Sequence, residues 1–322
     1  MSEMNKSAAS NDLEFKTAVG NIGKYFKYKW SLMKKAGIYY AFIAPYALVF
    51  CTFTVLPVII AIYFSFTNFN MIETPEWIFI DNYFMLFVED DLFITAIKNT
   101  MLFSCITGPV GYMLSLLFAW LINELPPKIR AIFTLMFYAP SISGTSYTMF
   151  AFIFSADEYG LLNSVLLDMN VITEATAWLK NEETIPYCVL IVSLWLSLGT
   201  GFLSLIAGLQ GVSKDYYEAG AIDGIRNRWQ ELWYITLPTM KDHLLFAAVM
   251  SITGAFGMGA VITSLVGFPS PNYSAHTIVH HLEDYGNTRF EMGYASAIAV
   301  LLFLLMVVCN ELIQRLLRKV GT

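Results

Sequence analysis

The sequence predicts an all-α membrane protein: a bundle of six transmembrane helices with both termini in the cytoplasm. Three observations carry this. First, 57% of the 322 residues are hydrophobic and 14% charged, against roughly 45–50% and 25% in soluble domains, so too few polar side chains remain to cover a water-facing surface. Second, six apolar segments each reach the length that crosses about 30 Å of hydrocarbon. Third, sixteen of the nineteen Lys and Arg residues fall on one side of the alternating loops, the bias that places that side inside. A formal charge of −6 gives no support for nucleic-acid binding.

Residues 1–36 read as a cytoplasmic tail. Its stretch Phe15–Lys35 mixes Phe15, Tyr25, Phe26, Tyr28 and Trp30 with lysines, the composition of a helix lying on the inner leaflet and contacting membrane lipid. Residues 37–322 form the transmembrane domain. Its spans run Gly37–Phe66, Ala96–Ile122, Ala131–Phe154, Pro186–Leu209, Leu244–Phe268 and Gly293–Ile313. Span one begins too late and runs too long for a cleaved signal peptide. Pro45, Pro57, Pro109 and Pro140 predict kinks, because each removes an N–H and crowds the preceding turn. The inner side collects Lys and Arg from the tail, from Lys128 and Arg130, from Lys214, Arg226, Arg228 and Lys241, and from Arg315, Arg318 and Lys319. The outer side keeps Lys98, Lys180 and Arg289 and carries the acidic clusters Glu89-Asp90-Asp91 and Glu182-Glu183. These read as solvated faces, with a docking surface for an outside partner as the alternative.

The span interiors hold no Asp, Glu, Lys or Arg; Lys98, Asp242 and Glu311 sit at the ends. Ion-coupled carriers usually keep such a group near the midplane, so self-energised transport is disfavoured. The nearest approach to a P-loop, Gly20-x-x-Gly23-Lys24, has the wrong spacing and is followed by Tyr25, with no hydroxyl for magnesium. Ser141-Ile142-Ser143-Gly144 matches a serine-protease elbow only in part, and no other span offers a buried His as its base. No catalytic residue is assigned. Cys51, Cys105, Cys188 and Cys309 lie inside apolar runs and read as buried free thiols. His276 and His280 are four apart in an outer loop and could share a helix face, but no Cys or Asp completes a metal set. No metal or cofactor is expected.

The informative loop is Gln210–Lys241, inside, between spans four and five. Ser213 is suited to N-cap a helix that carries Asp215 in its first turn. Tyr217, Ala221 and Ile222 fall on one side, and Gly224 stops the helix in a left-handed cap. A second amphipathic run follows with Trp229, Leu232, Trp233 and Ile235, and Pro238 marks the turn back into the membrane. A short helix, a glycine turn and a second short helix therefore project into the cytoplasm. The small residues of Glu218-Ala219-Gly220-Ala221 permit close approach by another surface, or a hairpin packed under its own bundle.

The segment Glu218-Ala219-Gly220, Asp223-Gly224 and Ile235-x-Leu237-Pro238 resembles the EAA loop of binding-protein-dependent ABC importer permeases. The likeness covers most of the chain. Ala44-Pro45, Pro57 and Ser65-Phe66-Thr67 resemble that family's first helix, Asp81-Asn82-Tyr83 its first outer loop, and Gly293-Tyr294-Ala295-Ser296-Ala297 the start of its last helix. The likeness is to the carbohydrate-uptake branch in its type I, six-helix form. It implies a bacterial cytoplasmic-membrane subunit forming half of a path for a sugar or oligosaccharide, and not an enzyme. It further implies a second homologous permease subunit, two ATP-binding ABC subunits that hydrolyse ATP, and an extracytoplasmic solute-binding protein. Glu218, Ala219, Asp223, Gly224, Leu237 and Pro238 become the residues that couple to the ATPase. The chain departs from the pattern with Gly220 in place of Ala and with one extra residue near Ile225–Asn227. The competing class is a secondary transporter or channel subunit whose loop is a structural hairpin.

For a substrate path, span four sets Ser193, Ser197, Thr200 and Ser204 at helical spacing on one face. That stripe suits a neutral sugar; it also suits close helix packing, since Thr200, Ser204 and Gly208 form a small-xxx-small series. Alignment through Pro238 adds Ser251 to the path. Tyr138 and Trp195 could stack on a sugar ring or fill the core.

Overall fold

The computed structural model describes residues 22–143 and 146–317. The tail residues Phe15 to Asn21, together with Lys6, Gly144, Arg318 and Lys319, lie outside them. Contacts divide the chain into two units, Met1–Ile60 and Ala61–Thr322. The first contains α1 (Ile22–Lys35) and α2 (Gly37–Phe50), with a π turn over Cys51–Val55 and the start of α3 (Leu56–Phe64). Most of its described side chains from Lys27 onward are exposed; Phe42 and Phe53 are 81% and 76% accessible.

In the second unit, β1 (Thr67–Asn68) pairs antiparallel with β2 (Glu76–Trp77), Thr67 opposite Trp77. α4 (Asp81–Phe84) follows, then the long α5 (Asp91–Asn123). Asp90 caps α5 by accepting from the Phe93 N–H at 2.9 Å. α6 (Pro127–Ile142) opens on Pro127, which lacks an N–H that the first turn would leave unpaired in any case. The predicted third span is interrupted: α6 ends at Ile142, Ser143 is extended, and α7 (Ser146–Ile153) begins afresh. Pro140 has no N–H to give, and its carbonyl accepts from the Ser146 hydroxyl at 2.8 Å instead of continuing the ladder. α8 (Leu161–Asp168) stands in a loop stapled by fully buried Asn163. Its amide donates to the carbonyls of Ser155, Asp157 and Thr176, and its oxygen accepts from the Trp178 indole at 2.8 Å.

α9 (Ile185–Leu196) and α10 (Thr200–Gly211) together form one apolar stretch with a break at Ser197–Gly199. α11 (Lys214–Ile222), α12 (Arg228–Glu231), a π turn over Leu232–Thr236 and α13 (Leu237–Thr239) make the hairpin. α14 (Lys241–Phe256) and α15 (Gly259–Val266) are bent by 44° across Gly257-Met258. α16 (Ile278–Glu283) precedes α17 (Met292–Leu317). Among the described residues, Gly37–Phe64, Asp91–Asn123, Ile185–Gly211 and Met292–Leu316 are long and apolar enough to cross a membrane, and the bent α14–α15 pair makes a fifth crossing if taken as one span.

The main core joins α5, α10 and α14 with the root of the hairpin, through Ala119, Phe202, Leu205, Leu232, Leu237 and Leu244. Small residues set the spacing. A Cβ on Gly208 would fall 2.8 Å from the His243 ring, and one on Gly201 would fall 3.2 Å from the Ala247 carbonyl.

Candidate functional site

The hairpin follows from its own sequence. The Ser213 hydroxyl accepts from the Asp215 N–H at 3.3 Å and starts α11. Gly224 ends it with φ +97°, a region that costs residues with a Cβ about 1–2 kcal/mol. The Ile225 N–H reaches the Gly220 carbonyl at 2.9 Å and the Gly224 N–H reaches Ala221 at 3.4 Å, the two bonds of a Schellman cap. Asn227 starts the second limb by accepting from the Gln230 N–H at 2.8 Å. The limbs meet through the Tyr217 hydroxyl and Thr236 Oγ1 at 2.9 Å and through buried Gly220, where a Cβ would sit 2.6 Å from Ile235 Cδ1.

That contact gives Gly220 a role beyond helix propensity: it leaves room for Ile235. The outward side of α11 presents Glu218, Ala219, Ile222 and Asp223, with Ile222 87% accessible. The side expected from Tyr217, Ala221 and Ile222 is therefore corrected. Tyr217 and Gly220 face in, and Ile222 faces out. Pro238 stands two residues before Met240, where the chain turns into α14. Leu237 is buried at the root. An open recess of about 760 Å³, lined by Trp120, Glu124, Arg130, Tyr217, Glu218 and Arg228 among others, lies between the first limb and the end of α5.

A second cavity, about 320 Å³, lies where three helix interruptions meet. Its walls include Ser141 and Ile142 at the end of α6, Ser197, Gly199 and Thr200 at the α9–α10 break, and Gly254 and Met258 near the α14–α15 bend. That volume falls in the range of small-ligand sites. Ser193, Ser197, Thr200 and Ser251 all line it, with Tyr112, Ser115, Tyr138 and Tyr147. The stripe predicted on span four is not continuous. The break at Ser197–Gly199 resets the helical phase, so Ser204 turns away and meets His243 Nδ1 at 3.1 Å. Trp195 does not line the cavity; its ring lies 6.1 Å from that of Phe137. Several lining hydroxyls donate to backbone carbonyls, Ser197 to Leu194 at 2.7 Å and Ser251 to Gly108 at 2.8 Å. Ser193 Oγ is buried without a hydrogen-bond partner among the described residues. Ser115 and Tyr147 had no periodic signal in the sequence; only the fold brings them here.

The motif residues dispersed along the chain converge on one knot. Asn82 Nδ2 donates to the carbonyls of Ser65 and Thr67 at 2.9 and 3.0 Å, and the Tyr83 hydroxyl donates to Ser65 Oγ at 2.9 Å. The Gly293 N–H donates to the Phe69 carbonyl at 2.8 Å. A Cβ on Gly293 would collide with the Thr67 carbonyl oxygen.

Two expectations are corrected nearby. Asp90 is not part of a solvated acidic face: its side chain is 13% accessible and accepts from the Tyr294 hydroxyl and from His281 Nε2, both at 2.9 Å. Nor are the histidines exposed: His276 precedes α16 in a loop, and His280 and His281 lie on α16. His276, His280 and His281 are all at least 96% buried, and His276 Nε2 lies 3.2 Å from His281 Nδ1. Burial acts to raise the Asp90 carboxyl, but the Phe93 N–H, the His281 ring and the Tyr294 hydroxyl outweigh it and hold it below the ordinary value. Burial lowers His281, and burial with the neighbouring rings lowers His276 to about 4. Neutral His281 then donates from Nε2 to Asp90, which leaves its Nδ1 to accept from His276 Nε2–H. Among the described residues, no group of three or more His, Cys, Asp or Glu is placed to hold a metal ion.

A family model for the "binding-protein-dependent transport system inner membrane component" matches residues 108–321. The chain belongs to that family. This inner-membrane component is therefore a multi-pass membrane protein of an ABC importer, not its ATP-hydrolysing subunit. Relatives include the arabinooligosaccharides transport system permease protein AraP of Bacillus subtilis (strain 168), 32% identical over 84% of this chain and 85% of that protein. The probable ABC transporter permease protein YesP of the same organism is 30% identical over 87% and 90%. The lactose transport system permease protein LacF of Rhizobium radiobacter is 28% identical over 70% and 76%. A bacterial alginate ABC transporter, solved in complex with an alginate pentasaccharide-bound periplasmic protein, contains a chain that shares the fold. The TM-score is 0.73 at 22% identity, over 91% of this chain and 98% of that one.

Proposed function

We propose that this permease forms half of a saccharide path and couples to a separate ATPase subunit through its α11 hairpin. The observation that carries the coupling role is the hairpin's build. Glu218, Ala219 and Asp223 are exposed on a helix closed by Gly224, and Leu232 and Leu237 root the hairpin in the α5–α10–α14 core, with Pro238 next to Leu237. A surface so rooted moves as one body with the bundle when a docked partner moves. In this reading two ATP-binding subunits closing on ATP push the hairpins of two homologous permeases and turn the path outward, where a solute-binding protein delivers its ligand.

The chain crosses the bacterial cytoplasmic membrane six times, with the interrupted α6–α7 segment as the crossing beyond those long enough alone. Both termini lie in the cytoplasm; the one-sided Lys and Arg distribution supports this. The substrate is a sugar or oligosaccharide passing the cavity of Ser193, Ser197, Thr200 and Ser251. The names of AraP and LacF support the substrate class, and the ring of hydroxyls supports the place. The test is uptake by the assembled importer carrying Gly224→Val or Glu218→Lys. Both variants are expected to insert in the membrane and to lose uptake. Wild-type uptake by both overturns the coupling role.

A further inference from the structure

We propose that the Arg228–Glu124 ion pair, backed by the Trp120–Trp229 ring contact, is the latch through which the hairpin drives α5. This rests on the coupling role of the hairpin argued above. Arg228 Nη2 lies 2.9 Å from Glu124 Oε2, and Arg228 Nη1 lies 2.9 Å from Glu231 Oε2. One guanidinium therefore bridges the second limb to Glu124, the residue that caps the C-terminus of α5. The rings of Trp120, in the final turn of α5, and Trp229 lie 4.9 Å apart between centroids.

The position of these contacts matters more than their number. The second limb is anchored in the core by Leu232 and Leu237, both at its far end from the Gly224 turn. With the core anchor alone, α11 and α12 could pivot about it. The latch ties the near end of the limb, at Arg228 and Trp229, straight to the C-terminal end of α5. The placement of Glu124 points the same way. A carboxylate at a helix C-terminus faces the negative end of the helix dipole, so it is unfavourable for α5 itself, and Arg228 offsets it from across the gap. α5 in turn lines the substrate cavity with Thr107, Tyr112 and Ser115, so the latch joins the docking surface to a wall of the path. Arg228 is a positioning residue: it acts through α5.

The test uses the assembled importer in proteoliposomes, with Arg228→Glu, Glu124→Arg and the double exchange, and with Gly224→Val alongside. Substrate taken up per ATP hydrolysed is the readout, together with the uptake KM and copurification of the ATPase. Each single exchange is expected to lower the ratio by roughly three- to tenfold, a range set by an exposed pair turned repulsive. KM and copurification stay at wild-type values, and the double exchange recovers most of the ratio. Singles that match wild type while Gly224→Val is inactive overturn the latch and leave the coupling role standing. So do singles that lose the ratio without recovery in the double exchange. Active Gly224→Val overturns the coupling role beneath it.

Discussion

Gly220 and Gly293 differ in what surrounds the missing Cβ, and that difference decides what each can tolerate. At Gly220 the nearest atoms are the ends of the Ile235 and Ile225 side chains, which can rotate. At Gly293 they are the backbone atoms of Thr67 and Phe69, which cannot move without opening the β1 turn. Gly220→Ala gains roughly 1 kcal/mol of helix propensity against the cost of displacing Ile235, so its net change is expected within about 1 kcal/mol. Gly293→Ala is expected to cost about 1–3 kcal/mol as an overpacking substitution. Thermal unfolding of the detergent-purified variants checks the order; equal midpoints would contradict it. The sequence flagged both positions as parts of motifs. It could not say why, because the neighbours that crowd a methyl most closely are 15 residues away for Gly220, at Ile235, and more than 220 for Gly293.

At the scale of elements, the ends of α5, α16 and α17 are held by the buried chain Asp90–His281–His276, with Arg289 paired to Asp284 at 2.8 Å beside it. Its linkage to pH has a definite sign. The three histidines titrate below their ordinary value when folded, His276 at about 4, so the unfolded chain binds more protons as the medium acidifies. Stability is full above about pH 6.5, the unfolded imidazole value, and falls as pH drops from there through about 4. The lowered Asp90 carboxyl adds a further loss below its unfolded value of 3.8. Unfolding midpoints measured from pH 7.5 to pH 4.5 are expected to fall steadily, and His276→Gln is expected to flatten the slope. A flat wild-type profile would remove the network from any role in stability. In the sequence all three histidines fall in the outer loop between spans five and six. Their burial comes from contacts with α5 and α17 that no local pattern encodes.

For the whole molecule, the unit ending at Ile60 exposes apolar side chains almost throughout. None of the most apolar window of Gly37–Phe64 is buried. Lipid can cover such a face, and so can the second permease proposed above. Cys51 is exposed on this stretch, so with Cys105, Cys188 and Cys309 replaced by serine it becomes a reporter. Its labelling by a membrane-permeant maleimide is expected to slow when the second permease is coexpressed. Unchanged labelling would assign the face to lipid.

By itself the sequence determined the membrane class, the apolar segments and the local build of the hairpin from Ser213 to Gly224. These rest on composition, on 20-residue apolar length and on caps completed within six residues, all of which are short-range physics. Only the tertiary structure decided where the spans break, which hydroxyls share a cavity and which side of α11 faces out. A helix break such as Ser197–Gly199 shifts the phase of every residue beyond it, and a carboxylate such as Asp90 is buried or solvated according to partners some 190 to 200 residues away. Such outcomes depend on long-range packing, and periodicity along a single segment does not contain it.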